Sequence, residues 1–124
     1  MKIAIPTDSQ SMESTVCASF GRAPYFLIYD TETKDYAFVA NTAASGTGGA
    51  GIMAAQIVAD QKVSALLTPR CGQNAADVFQ SADIKLYRTN TDSVKDNIEA
   101  FVKGELPLLA DFHAGFHGRN RGGR

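Results

Sequence analysis

A chain of 124 residues, 44% hydrophobic and 20% charged, has room for one globular domain with a real core and not for two. The net charge of −1 is unevenly spread: His113–Arg124 holds three arginines, both histidines and no acid, which leaves nine basic against thirteen acidic side chains, a net of −4, on residues 1–112. An acidic body argues against nucleic-acid binding anywhere but weakly through that tail, and no run reaches the roughly 18 apolar residues of a membrane span.

Met1-Lys2-Ile3-Ala4-Ile5-Pro6 lacks the long apolar stretch of a signal peptide and reads as a strand over Lys2–Pro6, closed by Pro6. Two cysteines 54 positions apart make neither a disulfide-dense scaffold nor a C-x-x-C pair, so a cytoplasmic protein with reduced thiols is expected. Residues 7–23 are small and polar and read as an ordered loop. Tyr25–Tyr29 and Tyr36–Val39 are aromatic and β-branched runs joined by Asp30-Thr31-Glu32-Thr33-Lys34-Asp35, which predicts an antiparallel hairpin.

A glycine-rich loop follows, Gly46-Thr47-Gly48-Gly49-Ala50-Gly51. Ile52–Gln61 has the composition of a helix buried round most of its circumference, with Ile52, Met53 and Ile57 among alanines. Val63–Leu67 suits a buried parallel strand. Pro69-Arg70-Cys71-Gly72 breaks the chain before an amphipathic helix over Asn74–Ala82. Ile84–Tyr87 is the last strand. Thr91-Asp92-Ser93 supplies capping chemistry for a final helix with its stripe on Val94, Ile98, Phe101 and Val102 and its stop at Gly104. The folded domain is therefore expected to span residues 1–106, with 107–124 as a flexible Gly/Arg/His tail.

The order β-β-β-α-β-α-β-α, a hairpin and right-handed crossovers predict a five-stranded mixed sheet in strand order 3-2-1-4-5 with strand 2 antiparallel. The segments after strands 1, 3 and 4 then emerge at one edge. They carry Cys17, the glycines and Cys71, at the switch point where open α/β sheets bind ligands. Backbone N–H groups, two soft thiols, Arg22 and Arg70 around one crevice suit a small anion, and an anionic metal–sulfur species in particular.

Several strings resemble the dinitrogenase iron–molybdenum cofactor biosynthesis family: Lys2-Ile3-Ala4-Ile5-Pro6, Phe20-Gly21-Arg22-Ala23-Pro24-Tyr25-Phe26, Gly48-Gly49-Ala50-Gly51 before a helix, Cys71-Gly72-Gln73-Asn74-Ala75, and Ala82-Asp83-Ile84-Lys85-Leu86-Tyr87. The likeness covers roughly residues 1–105. It implies a three-layer α/β/α, ribonuclease H-like fold. It also implies non-enzymatic binding of iron–molybdenum cofactor precursors or related molybdenum–sulfur clusters, in the manner of the family's small stand-alone members, with proteins of cluster biosynthesis as partners. Many relatives carry histidine just before Phe-Gly-Arg; Ser19 stands here, so a histidine ligand at that place is excluded.

Each feature also has a plainer explanation. Gly46-x-Gly48-x-x-Gly51 matches the dinucleotide fingerprint, yet Thr68-Pro69-Arg70 stands where an acidic ribose partner belongs, which argues against a nicotinamide site. The loop is either an anion nest or a set of turns. Cys71 heads a helix beside Arg70, which would favour thiolate, or else fills a strand–helix junction. Cys17 sits on a longer loop, and Arg22 contacts either an anion or a carboxylate such as Asp8. His113 and His117 have the i, i+4 spacing of a two-ligand metal face, but Gly115 and Gly118 interrupt it and favour a solvated tail. The first strand has no carboxylate, so the fold carries no nuclease site, and a domain without histidine builds no Ser/His/Asp or Cys/His triad.

The sequence thus supports a binder or carrier in which Arg22, Gly46, Gly48, Gly49, Gly51, Arg70 and Gly72 hold the anion while Cys71, with Cys17 second, ligates a soft metal such as copper(I) or iron. The alternative is a regulatory module binding a phosphate-bearing ligand in the same crevice, to which cysteine is of no use. A small redox enzyme using Cys71 is a weaker third reading.

Overall fold

The computed structural model describes residues 1–43 and 50–109. Strands Lys2–Thr7 (β1), Tyr25–Asp30 (β2), Tyr36–Ala40 (β3), Ala65–Thr68 (β4) and Lys85–Arg88 (β5) accompany helices Ala50–Asp60 (α1), Gln73–Ser81 (α2) and Val94–Val102 (α3), with a 3-10 turn at Phe20–Arg22. The sheet runs β3-β2-β1-β4-β5. β2 is antiparallel to both β1 and β3, whereas β4 is parallel to β1 and to β5. This is the order and polarity that the hairpin and the crossover rule require.

Alternation along the strands sorts the core into two layers. Ala4, Phe26, Ile28 and Leu66 face α1 and α2, where they meet Ala54, Ala55, Val58, Ala75, Ala76 and Phe79. Ile3, Ile5, Leu27, Ala65 and Leu67 face α3, through Val94, Ile98 and Ala100. The architecture is α/β/α, with two helices on one face and one on the other.

The structure refines the sequence reading in four places. β1 passes through Pro6 to Thr7, which still pairs with Tyr25. The proline is tolerated because its carbonyl, directed away from β2, accepts from Cys17 N at 2.9 Å, so no N–H is missed in the β1–β2 ladder. The segment after β1 is held by distant chain: Thr7 bridges Val16, Thr15 bridges Ser93, and Val16 N donates to Asp92 O at 2.8 Å.

In α1 the large residues are the outer ones. Met53 is 53% exposed and Ile52 37%, while Ala50, Ala54, Ala55 and Val58 are buried. Small residues on the inner stripe let α1 and α2 approach closely, so alanine faces alanine and the bulky side chains turn out. Finally, the ordered chain continues beyond α3. Leu106 and Leu109 are buried, Arg88 N donates to Pro107 O and Leu109 N to Leu86 O, both at 2.8 Å. The tail beyond residue 109, with His113 and His117, lies outside the described residues, as do Gly46, Gly48 and Gly49.

Candidate functional site

β1 and β4 lie side by side and parallel, and their onward connections diverge. The chain leaving β1 reaches the Phe20–Arg22 turn; the chain leaving β4 enters α2 through Pro69-Arg70-Cys71-Gly72. Phe20 anchors the turn, buried with its ring 5.2 Å from Phe26 and 5.4 Å from Phe79 between centroids. That anchoring presses Gly21 onto the first turn of α1, where a β-carbon on Gly21 would stand 3.2 Å from Gly51 Cα and 3.3 Å from Gly51 N. Gly51 in turn faces α2, where its own added β-carbon would lie 3.9 Å from Ala75 Cβ. The turn and the N-terminal ends of both helices therefore meet at one place.

The electrostatics of that place are one-sided. Neither α1 nor α2 has an acidic residue in its first turn, and Gly72, the N-cap of α2, offers no side chain to its amides. The contrast is α3, capped by Ser93 Oγ accepting from Asp96 N at 3.1 Å and carrying Asp96 in its first turn. First-turn amides have no intrahelical acceptor, and two dipole ends side by side with no carboxylate in either first turn favour an anion. Arg22 and Arg70 are both exposed at this edge.

Asn41 is the residue that the sequence reading missed. Buried at the end of β3, it donates from Nδ2 to Ala23 O at 2.9 Å and to Gly21 O at 3.2 Å, while its Oδ1 accepts from Ala43 N at 3.1 Å. It staples the Phe-Gly-Arg turn to the chain entering the glycine loop. An asparagine just past a strand and before a glycine run was the available signal.

The cysteines answer the expectation only in part. Both belong to the layer that α1 and α2 cover, Cys71 inside it and Cys17 packed against it. But Cys71 is 1% exposed, and burial pushes its thiol up to about 12. Burial opposes the helix-start thiolate expected from Arg70 and the α2 dipole: the chain turns Cys71 into the core, while Arg70 is exposed. Cys71 Sγ lies 3.5 Å from Gly72 O as a donor. Cys17 is half-buried, its Sγ 3.5 Å from Ser19 O; burial raises its pKa too, and the nearby Asp8 carboxylate adds to that. Cys17 is the accessible thiol of the two.

Among the described residues no three His, Cys, Asp or Glu side chains converge to cage a metal ion. The residues present fit a preformed anion better than a bare cation: amides, arginines and at most two protonated thiols. Two clefts, of about 450 and 570 Å³, lie on the opposite face between α3 and the β2–β3 hairpin. Neither is lined by a cysteine, and the helix start that borders both, through Lys95 of α3, already carries Asp96 in its first turn. No helix among the described residues is long and apolar enough to cross a membrane.

Residues 1–104 match the family model described as dinitrogenase iron-molybdenum cofactor. The uncharacterized protein MJ0580 of Methanocaldococcus jannaschii is 33% identical over 109 residues, which cover 86% of this chain and 89% of that one. The orange protein of Desulfovibrio gigas, solved in its apo form, superposes with a TM-score of 0.84 at 31% identity, over 88% of this chain and 92% of its own. TM1290 of Thermotoga does so with a TM-score of 0.77 at 34% identity, over 92% and 97%. The match runs from β1 through the last helix and takes in the Phe-Gly-Arg turn, both helix starts and both cysteines: the chain belongs to the dinitrogenase iron–molybdenum cofactor family.

Proposed function

We propose that this protein is a non-enzymatic binder or carrier of an anionic molybdenum–sulfur or iron–molybdenum-type cluster, held at the edge where the Phe-Gly-Arg turn meets the starts of α1 and α2. The observation that carries the reading is the pairing of two helix N-termini that lack acidic first-turn residues beside two cysteines. Family membership supports it independently.

The cluster is cargo, and the chain's part is to hold it. Amides at the helix starts, with Arg22 and Arg70 at the rim, offset its negative charge, and Gly51 and Gly72 leave the backbone approachable. Burial raises the pKa of both thiols, which disfavours thiolate charge as the feature that recruits the cluster. A sulfur–metal bond forms only as a soft metal displaces the thiol proton, which puts Cys17 first and Cys71 after a local opening. Partners in cluster assembly would take up or deliver the same cargo.

The test is uptake without oxygen. Offered tetrathiomolybdate with copper(I) or iron, the protein is expected to develop visible absorption and keep molybdenum through desalting, while Arg22→Ala with Arg70→Ala loses most of both. If wild type retains no molybdenum but binds inorganic phosphate at this edge, the phosphate-module reading replaces the proposal.

A further inference from the structure

The two edges of the sheet are treated differently. On the β5 side, Lys85 and Arg88 sit within the edge strand, and Pro107–Leu109 runs along it, with Arg88 N on Pro107 O, Leu109 N on Leu86 O and a bridge from Tyr87 to Leu108. Both devices block pairing with foreign strands. On the other side β3, Tyr36-Ala37-Phe38-Val39-Ala40, has no charge, no proline and no bulge in its register with β2. No described residue pairs with its outer edge.

The hairpin fixes which backbone groups face outward. Asp30 N donates to Asp35 O at 2.9 Å and Asn41 N to Pro24 O at 3.0 Å, so Asp35 and Asn41 are bonded to β2. In an antiparallel ladder bonded pairs alternate with non-bonded ones, so Ala37 and Val39 also spend their N–H and C=O on β2. Tyr36, Phe38 and Ala40 direct theirs away from the sheet.

We propose that this edge pairs with the same edge of a second copy, β3 antiparallel to β3, about a two-fold axis at Phe38. Only a register joining even-numbered residues matches outward groups to outward groups. Centred on Phe38, it sets Tyr36 opposite the second copy's Ala40 and Phe38 opposite its counterpart, so every outward group of the strand finds a partner. A slip by two residues forfeits one of these pairs, and a slip by one sets outward groups against groups already bonded to β2. The strand is self-complementary, which is what a closed two-fold contact demands and an unrelated peptide does not.

Side chains and charges agree with this register. Tyr36, 54% exposed, and Phe38 form an edge-to-face pair with ring centroids 5.9 Å apart, and the second copy would continue it as one aromatic ladder across the axis. Beyond the strand Lys34 falls opposite Thr42 and Asp35 opposite Asn41, so no like charges meet. The contact does not depend on the ligand proposed at the Phe-Gly-Arg edge.

Sedimentation of the full chain over a concentration series tests it. Wild type should show a monomer–dimer equilibrium. Phe38→Lys, which sets two lysines face to face on the axis, should weaken dimerisation at least about tenfold. Phe38→Glu should do the same, and an equimolar mixture of the two should recover a heterodimer, which unfolded variants could not form. Ala40→Pro removes one outward N–H and no bond to β2, and should also weaken the dimer. Wild type that is monomeric at every concentration, or a dimer indifferent to all these changes, overturns the proposal.

Discussion

Replacing Gly21 and Gly51 separately by alanine should move stability in opposite directions. Among the described glycines only Gly104 has a positive φ, so alanine is conformationally acceptable at both sites and space decides the outcome. The methyl on residue 21 would meet Gly51 Cα at 3.2 Å, Gly51 N at 3.3 Å and Ala50 C at 3.6 Å. All three are backbone atoms of α1, so no side chain can swing away; the turn and the helix must separate by some tenths of an ångström. Phe20, wedged against Phe26 and Phe79, resists that shift, and overpacking of this kind costs about 1–3 kcal/mol. A methyl on residue 51 makes only an ordinary contact, 3.9 Å from Ala75 Cβ, and exchanges a helical glycine for the best helix former, a gain of about 0.5–1 kcal/mol. Urea unfolding followed by circular dichroism reads both. A neutral Gly21→Ala, or equal losses at the two sites, would refute the claim that the Phe-Gly-Arg turn sits on the start of α1 with no room to spare.

Asn41→Ala should cost about 2–4 kcal/mol in the same assay, because it leaves the Gly21 and Ala23 carbonyls and the Ala43 amide without their side-chain partner; a loss below 1 kcal/mol would show that water replaces the staple. Thr7 is fully buried, its hydroxyl has no hydrogen-bond partner among the described residues, and Thr7→Val should stabilise the fold by about 1 kcal/mol, which a loss of stability would contradict. In the folded protein Cys17 should react with iodoacetamide and Cys71 resist it, with mass mapping to show which is labelled. Cys71 ordinarily titrates at 9.0 and in the folded chain at about 12, so the folded state keeps a proton that the unfolded chain has lost. Wild-type stability should therefore fall relative to Cys71→Ala as pH rises across that window, and parallel pH curves would refute the buried neutral thiol.

The backbone plan was legible because its determinants are local. Alternation and β-branched content mark the strands, a short polar connection makes the β2–β3 hairpin, and chirality orders β4 and β5. Cys71 was misread for a physical reason: position at a helix start is visible in sequence, whereas the direction in which a junction turns a side chain depends on what packs over it. Helical periodicity likewise gives no warning that Ile52 and Met53 face outward, since that follows from the close approach of α1 to α2. The order of the segment after β1 comes from pairing with Ser93 and Asp92, some eighty residues away. Asn41 acts through carbonyls about twenty residues earlier, a kind of contact that composition does not encode.

The most direct test of the central claim is where an anionic thiometallate touches the protein. Amide chemical shifts of ¹⁵N-labelled protein, followed while tetrathiomolybdate is added without oxygen, report this residue by residue. The expected result is saturable shifts at Gly21, Arg22, Gly51, Gly72 and Gln73, with the α3 side around Tyr29, Ile98 and Val102 unmoved. Shifts confined to the α3 side, or none at any concentration, would contradict the account.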